Sequence, residues 1–406
     1  MPRLNRHSPP GLYTLVALSG VGALNMNLFL PSLPAMADAF GTEYGVMQLA
    51  VSAYLALTAL WQVVLGPLSD RFGRRPVMLW GVGVFVLASI GCVLSTTVES
   101  FLFFRMVQAT IVAGLALSRA IVRDMVSEDK AAAMIGLMTM FMAVMPMVGP
   151  SIGGVLEQTF GWQANFVCLT LVGAAVFALT LADLGETNTQ KSASFGAQFR
   201  SYPELFGSVR FWGYTATASF ASGVFFTFLG GAPYVASRIL GMTPTQVGLG
   251  FATVALGYLM GNFTTSRVSE RFGVLKMITM GSILAFLGTL LALGAFIAGF
   301  AHPISLFGPM LVVGWGNGMT LPSAMAGMVS VRPQLAGSAS GLGGALMVGG
   351  GAALAAITGG LLSDSLSAMP LLSMMGACGL LGILSAIWVV QVERQRRAEA
   401  AAAQKN

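Results

Sequence analysis

Charge is what this sequence has least of. Of 406 residues only 9% are Asp, Glu, Lys or Arg, against 55% hydrophobic, and mean hydropathy is +0.79. A soluble domain carries roughly 25% charged residues. A chain this long with so few charges cannot cover a water-facing surface. That excludes an ordinary soluble enzyme, a disordered protein and a nucleic-acid binder. Histidine is nearly absent, at two residues, and the three cysteines, Cys92, Cys168 and Cys378, lie far apart in apolar runs with no metal or redox spacing. They read as inert buried thiols. Acid inside the apolar runs is scarcer still. Asp38, Glu43, Glu99 and Asp364 fall in loops on one side and most of the other acids in loops on the opposite side. Glu157 and Asp183 close two apolar runs, and none of the 15 acids lies mid-run. A polytopic membrane enzyme needs His, Asp, Glu or Ser clustered at one depth, so this scarcity argues against one as well.

Long apolar runs are what the chain has. They lie near residues 12–34, 45–66, 76–96, 101–122, 132–157 and 164–183, then near 211–234, 245–266, 275–298, 303–325, 337–362 and 367–390. Each is long enough for a membrane helix, which needs about 20 residues. The pattern predicts an all-α polytopic membrane protein in which twelve transmembrane helices form two six-helix bundles. The predicted division is an N-terminal bundle over 1–183, a polar linker over 184–210, a C-terminal bundle over 211–392 and a tail over 393–406. Arg3 and Arg6 before the first run, with Ala35-Met36-Ala37 after it, resemble a secretory signal. The run from Leu12 to Leu30 exceeds the ~7–15 residues of a signal core, so a retained helix is expected. The 51 glycines suit helices packed closely in lipid.

The basic residues orient the chain. With both termini in the cytoplasm, 19 of the 21 lysines and arginines fall in cytoplasmic segments, Arg238 alone falls outside and Arg105 lies within a span. The basic pI therefore reflects topology, not an acidic partner. The halves also resemble each other. Ser69-Asp70-Arg71-Phe72-Gly73 matches Ser269-Glu270-Arg271-Phe272-Gly273. Pro34 has a counterpart in Pro233 and Gln48 in Gln246, at offsets of 198 to 200. Duplicated six-span halves are the plan of a secondary transporter with alternating access.

Three motifs carry the functional reading. The loop Gly66-Pro67-Leu68-Ser69-Asp70-Arg71-Phe72-Gly73-Arg74-Arg75-Pro76 puts a tight turn and opposite charges at two helix ends, where they can hold a gate. A positive-inside loop needs only the arginines. Span 5 reads Pro146-Met147-Val148-Gly149-Pro150-Ser151-Ile152-Gly153-Gly154, with prolines to bend the helix and Gly149, Gly153 and Gly154 to form a smooth face. Arg105 with Gln108 puts a charge in span 4. On insertion scales that charge costs about 2.5–3.5 kcal/mol, so Arg105 is expected to face a cavity or a partner rather than snorkel to the interface.

These stretches resemble the major facilitator superfamily over nearly the whole chain, and within it the Bcr/CflA-type drug exporters, drug:proton antiporters of twelve spans. The likeness rests on Leu30-Pro31-Ser32-Leu33-Pro34, Tyr54, Gln62, the loop after span 2, Arg119-Ala120-Ile121-Val122-Arg123-Asp124, Gly161-Trp162-Gln163-Ala164-Asn165-Phe166 and Ala232-Pro233-Tyr234-Val235. The resemblance implies a cytoplasmic gate formed by Gly66, Asp70, Arg71, Gly73, Arg74, Arg75, Arg123 and Asp124. It makes the span-5 stretch an antiporter motif, with Pro146, Gly149, Pro150, Gly153 and Gly154 in register and Met145 in place of its first glycine. It assigns Arg105 to proton coupling, with Ala109 where the family has glycine. Spans 1, 4, 7 and 10 are implied to surround a central substrate cavity. Its candidate contacts are Asn25, Asn27, Phe29, Tyr54, Trp61, Gln62, Arg105, Gln108, Met138, Phe141, Met142, Phe225, Trp315 and Asn317.

One departure matters. The family places an acid in span 1 within Asp-x-Tyr-Leu-Pro, and this chain reads Asn27-Leu28-Phe29-Leu30-Pro31. Asparagine cannot exchange a proton near neutral pH. Asp70, Asp124 or Glu157 could titrate instead, with Arg105 tuning the site, or coupling could be absent. With no acid mid-span, neutral, zwitterionic or anionic substrates are expected over strong cations. The resulting expectation is a monomeric exporter of small amphipathic molecules or antibiotics in the inner membrane, without cofactor or metal. An uptake permease or uncoupled facilitator of the same fold is the alternative.

Overall fold

The computed structural model describes residues 10–126, 128–188, 202–332, 336–363 and 365–403. Helices and turns account for every regular element among them. In the first half these are α1 (Leu12–Asn27), α2 (Leu33–Ala39), α3 (Tyr44–Met47), α4 (Leu49–Phe72), α5 (Arg74–Leu94), α6 (Val98–Val107), α7 (Val112–Met125), α8 (Glu128–Phe160) and α9 (Gln163–Asp183). The short α10 (Tyr202–Phe206) lies in the expected linker. The second half follows with α11 (Val209–Tyr234), α12 (Pro244–Phe272), α13 (Val274–Ile297), α14 (Pro303–Val329), α15 (Ala336–Ser363) and α16 (Met369–Ala403). Among the described residues, 11 stretches are helical, long and apolar enough to cross a membrane. The remaining expected span lies in α8, a helix of 33 residues, many of whose side chains are outside the described set. α16 runs on through the expected tail as far as Ala403.

Local chemistry sets the breaks. The first span stops at Asn27, passes through a 3-10 turn over Leu30–Ser32 and resumes as α2. Pro31 and Pro34 donate no backbone hydrogen bond, so the helical ladder cannot run through them. Between the third and fourth spans, Thr97 caps α6: its hydroxyl accepts from Ser100 N, and the Ser100 hydroxyl accepts from Thr97 N.

The chain forms two compact units. One comprises residues 1–197 with 232–252 and 359–366, and the other comprises 198–231, 253–358 and 367–406. The stretches around Pro233 and Ser363 thus group with the first half rather than with the bundle that their sequence position suggested. In the first unit α1 packs on α7, α8 and α9, and α5 packs on α9 and α6. At the arginine-poor end of this unit, Arg238 forms an ion pair with Asp38, the Tyr44 and Tyr234 rings lie 4.7 Å apart, and Gly45 N donates to Ser363 Oγ at 2.6 Å. The basic residue that the positive-inside pattern left outside therefore has a local partner.

In the second unit α13 packs on α14 and α16, around a core that includes Phe211, Tyr214, Ile278, Met328, Leu342 and Val389. The span-11 glycines suggest tight packing by α15, yet Gly341 has open space at its Cβ position and Gly343 and Gly351 meet side chains. Backbones approach most closely at α14. Gly314 and Gly318 abut the backbone of α12 there, and Gly316 abuts α13.

Candidate functional site

The fourth span is also interrupted. α6 ends at Val107, Gln108–Ile111 form a 3-10 turn, and α7 resumes at Val112. Neither proline nor glycine causes this. The Thr110 hydroxyl donates to Gly81 O at 3.0 Å and to Val107 O at 3.1 Å, so a side chain competes for a carbonyl of its own turn. A mid-helix 3-10 stretch of this kind often marks a hinge. It lies one residue beyond the last turn of α6, which carries Arg105.

Arg105 is completely buried, which removes the snorkelling alternative. Its Nη1 donates to Asn25 Oδ1 at 2.7 Å and Gln108 Oε1 at 2.6 Å. Nε donates to Ala50 O at 3.0 Å and Nη2 to Asn25 O at 3.2 Å. The guanidinium also lies over two rings, 4.3 Å from the centroid of Phe29 and 4.1 Å from that of Tyr54. The network continues outward: Asn25 Nδ2 donates to Tyr54 Oη at 3.0 Å, and Gln108 Nε2 donates to Ser89 Oγ at 2.8 Å. Among the described residues no carboxylate pairs with this cation. Amide and carbonyl oxygens and two π faces replace the lost water instead. The result is a buried positive charge with neutral partners, held where spans 1 and 4 both break.

The position of the missing acid lies on the same broken helix. Asn27 is 2% exposed; its Nδ2 donates to Ala23 O at 2.7 Å, and its Oδ1 has no hydrogen-bond partner among the described residues. A Cβ added at Gly149 would come within 3.2 Å of Asn27 Cβ, and one at Gly153 would collide with the carbonyl oxygen of Leu28. The span-5 motif therefore packs its glycines directly on the break in span 1. Gly154 faces the other way and meets the backbone at Pro244. Next to Gly153 stands a second polar group. Asn165 Nδ2 donates to Ser32 Oγ at 2.8 Å, and the half-buried Glu157 carboxylate beside Ser32 keeps Oε2 buried without a partner among the described residues.

The gate loop closes on itself. Gly73 adopts φ 102° and ψ 153°, a region that essentially only glycine enters. Arg74 Nη1 lies 2.6 Å from Asp70 Oδ1, and its Nε lies 3.0 Å from Asp124 Oδ2. The backbone N–H groups of Arg74 and Arg75 donate to Glu186 at 2.9 and 3.3 Å, and Arg75 Nη2 donates to Leu181 O at 3.2 Å. Arg71 lies over the Phe72 ring, 5.4 Å from its centroid, and Ser69 Oγ donates to Gly66 O at 2.8 Å.

The structure thus brings Asn25, Phe29, Tyr54, Arg105 and Gln108 together, and groups Asp70, Gly73, Arg74, Arg75 and Asp124 at the loop. It does not bring every candidate to these clusters. Trp61 packs on the exposed Trp80, with ring centroids 5.7 Å apart. Gln62 and Met142 are half-buried and Met138 is buried, whereas the side chains of Phe141 and Arg123 lie outside the described set. Pro146 and Pro150 lie inside the continuous α8. In the second unit Phe225 lies beside Phe226, and Trp315 Nε1 donates to Thr264 Oγ1 at 3.1 Å. Asn317 is 2% exposed, and neither of its side-chain polar atoms is bonded among the described residues.

Sequence reasoning missed Glu186, Ser89 and Asp183. Glu186 is an acid close behind a span end that shares its side of the chain with the gate arginines, and a helix N-terminus nearby favours an anion. Ser89 is a lone hydroxyl mid-span, which needs a partner when buried. Asp183 is 3% exposed and accepts from Gly11 N at 2.8 Å and from the Thr14 hydroxyl, which ties the start of α1 to the end of α9.

The sequence profile of the Major Facilitator Superfamily matches residues 15–237 and 225–406. A chloramphenicol resistance protein from Pseudomonas aeruginosa is 31% identical over 80% of this chain and 79% of its own length. A bicyclomycin resistance protein homolog from Haemophilus influenzae is 28% identical over 92% and 94%. Among solved structures, an occupied form of a bacterial homolog of the human lysosomal transporter Spinster superposes with a TM-score of 0.71 at 16% identity, covering 94% of this chain and 96% of that one.

Proposed function

The chain belongs to the major facilitator superfamily, and from that premise we propose that it exports small amphipathic molecules from a bacterial cell by alternating access, driven by protons. In this reading it acts as a monomer in the inner membrane with both termini in the cytoplasm. The observation that carries export is the likeness to a chloramphenicol resistance protein over 80% of the chain. The antiporter motif packed on the break in span 1 supports the same direction.

The charge pattern sets the substrate class. The buried cation of Arg105 meets neutral partners, and Asn27 stands where the family keeps an acid. A carboxylate attracts cationic drugs, and none is offered here, so neutral, zwitterionic or anionic amphiphiles suit the protein better. Chloramphenicol is the neutral probe to try first. In an efflux-deficient host, expression is expected to lower chloramphenicol accumulation and leave ethidium accumulation nearly unchanged. Export of ethidium as strong as that of chloramphenicol would overturn the substrate class, and unchanged accumulation of a panel of neutral antibiotics would overturn export.

Proton coupling then needs a carrier other than span 1. Asp70 and Asp124 are committed to Arg74. Glu157 has a buried oxygen without a partner beside Ser32 and Asn165, next to the antiporter glycines, and it is our choice for the exchanging group. An uncoupled facilitator or an uptake permease is the second reading, and Asn27 is the observation that favours it. Efflux that ignores both external pH and a protonophore would select the facilitator.

A further inference from the structure

The duplicated halves share one turn and fill it differently. In the first unit, Gly73 precedes α5 and the Glu186 carboxylate accepts from the first two N–H groups of that helix. In the second unit, Gly273 precedes α13 with φ 79° and ψ 159°, and among the described residues no side chain accepts from the first N–H groups of that helix. A Cβ at Gly73 would strike Glu186 Oε2, whereas one at Gly273 would meet nothing within 4 Å.

Where the second unit lacks that carboxylate it has a cavity of about 900 Å³, lined by Gly273, Val274, Lys276, Arg210, Glu393 and Arg394 among others. Its charges do not cancel. Arg210 lies 2.6 Å from Glu393 Oε1, and the Tyr214 hydroxyl donates to the same oxygen at 3.0 Å, so the one acid among the described lining residues is already engaged. Lys276 lies over the Phe272 ring, 5.4 Å from its centroid, and neither it nor Arg394 pairs with a carboxylate among the described residues. Two cations and an uncapped helix N-terminus thus share one cavity, a combination that favours a phosphate. The wall beyond them is apolar and outward-facing: Met280 is 48% exposed and Ile387 43%. On a membrane protein such residues border acyl chains.

We propose that this cavity binds an anionic glycerophospholipid. The lipid phosphate occupies the place that Glu186 fills in the other half, Lys276 and Arg394 supply the countercharge, and the acyl chains lie along Met280 and Ile387. None of the lining residues is one assigned to transport, and the test reads binding rather than efflux.

The purified full chain in neutral detergent is titrated with phosphatidylglycerol, phosphatidylcholine and inorganic phosphate, following the unfolding midpoint and lipid retention by native mass spectrometry. Phosphatidylglycerol is expected to raise the midpoint and stay bound, while phosphatidylcholine does neither. In the double variant Lys276→Gln/Arg394→Gln, half-maximal response should need at least tenfold more phosphatidylglycerol. Ser330→Glu, which puts a carboxylate into the cavity lining, should weaken the response similarly, and it carries the test alone if the double variant does not fold. Equal responses to the two lipids, or a wild-type response in every variant that folds, would overturn the site. Inorganic phosphate acting as well as phosphatidylglycerol would assign the cavity to free phosphate and overturn the lipid.

Discussion

At the scale of single residues, Arg105 was legible as an outlier and its partners only in part. One arginine in an apolar run must find acceptors, and Asn25, Tyr54 and Gln108 stood among the polar candidates. The Ala50 carbonyl and the Ser89 hydroxyl could not be read, because which backbone oxygen or lone serine meets a guanidinium depends on helix rotation. Replacing Arg105 by Gln strands Asn25 Oδ1 and Gln108 Oε1, both of which accept from its Nη1. Each unsatisfied buried acceptor costs about 1–3 kcal/mol. Arg105→Gln is therefore expected to lower the unfolding midpoint and cut chloramphenicol efflux at least tenfold. Arg105→Lys keeps the charge but loses the planar fork that reaches four acceptors while lying over two rings, so its efflux should fall between wild type and Arg105→Gln. Asn27→Asp restores an acid to span 1 and is expected to add ethidium export, read as a drop in dye accumulation. No gain in a correctly folded Asn27→Asp would sink the reading of that position.

At the scale of helices, span number and approximate length followed from apolar runs, because a bilayer demands a fixed length of helix whatever its neighbours. The break after Asn27 followed from Pro31 and Pro34. The break at Gln108–Ile111 was invisible, since its cause is a threonine hydroxyl choosing carbonyls on its own helix and on α5. Glycine density alone does not say where backbones meet. Span 11 has a dense run of glycines, of which Gly359 and Gly360 put backbone atoms against the Cβ position of Gly45, while the close backbone contacts of the described glycines in the second unit fall at α14. Glycine count reports permission for close packing; the neighbour decides its use. The span-5 motif can be tested on that ground. Gly153→Leu drives a side chain into the Leu28 carbonyl, and overpacking of this kind costs about 1–3 kcal/mol. The variant should melt lower and lose efflux, whereas Ile152→Leu, on a face that is 43% exposed, should leave both unchanged. Gly73→Ala enters a backbone region that costs about 1–3 kcal/mol and crowds Glu186, so it should also melt lower than wild type.

At the scale of the whole molecule, the scarcity of acid turns into a question about energy. A proton-driven exporter needs one group that binds a proton on one side and releases it on the other. The chain has 15 carboxyl groups, and the apolar runs hold none in their middle thirds. At the gate, Asp70 and Asp124 are both engaged by Arg74. Asp183 is spent on the start of α1. Glu157 differs: one oxygen is buried without a donor, and its neighbours Ser32 and Asn165 lie on the elements that the antiporter glycines touch. Movement of span 5 against span 1 would change the surroundings of that carboxyl directly. In proteoliposomes with an imposed pH gradient, wild-type efflux of a neutral substrate is therefore expected to rise with the gradient and to collapse with a protonophore. Glu157→Gln should abolish the gradient dependence while downhill exchange of the same substrate continues, since the amide keeps the shape but cannot carry a proton. Asp183→Asn should instead destabilise the fold and leave the gradient dependence of whatever protein survives intact. A Glu157→Gln variant that still follows the gradient would move the carrier elsewhere, and a wild type that ignores the gradient would remove coupling from this protein altogether.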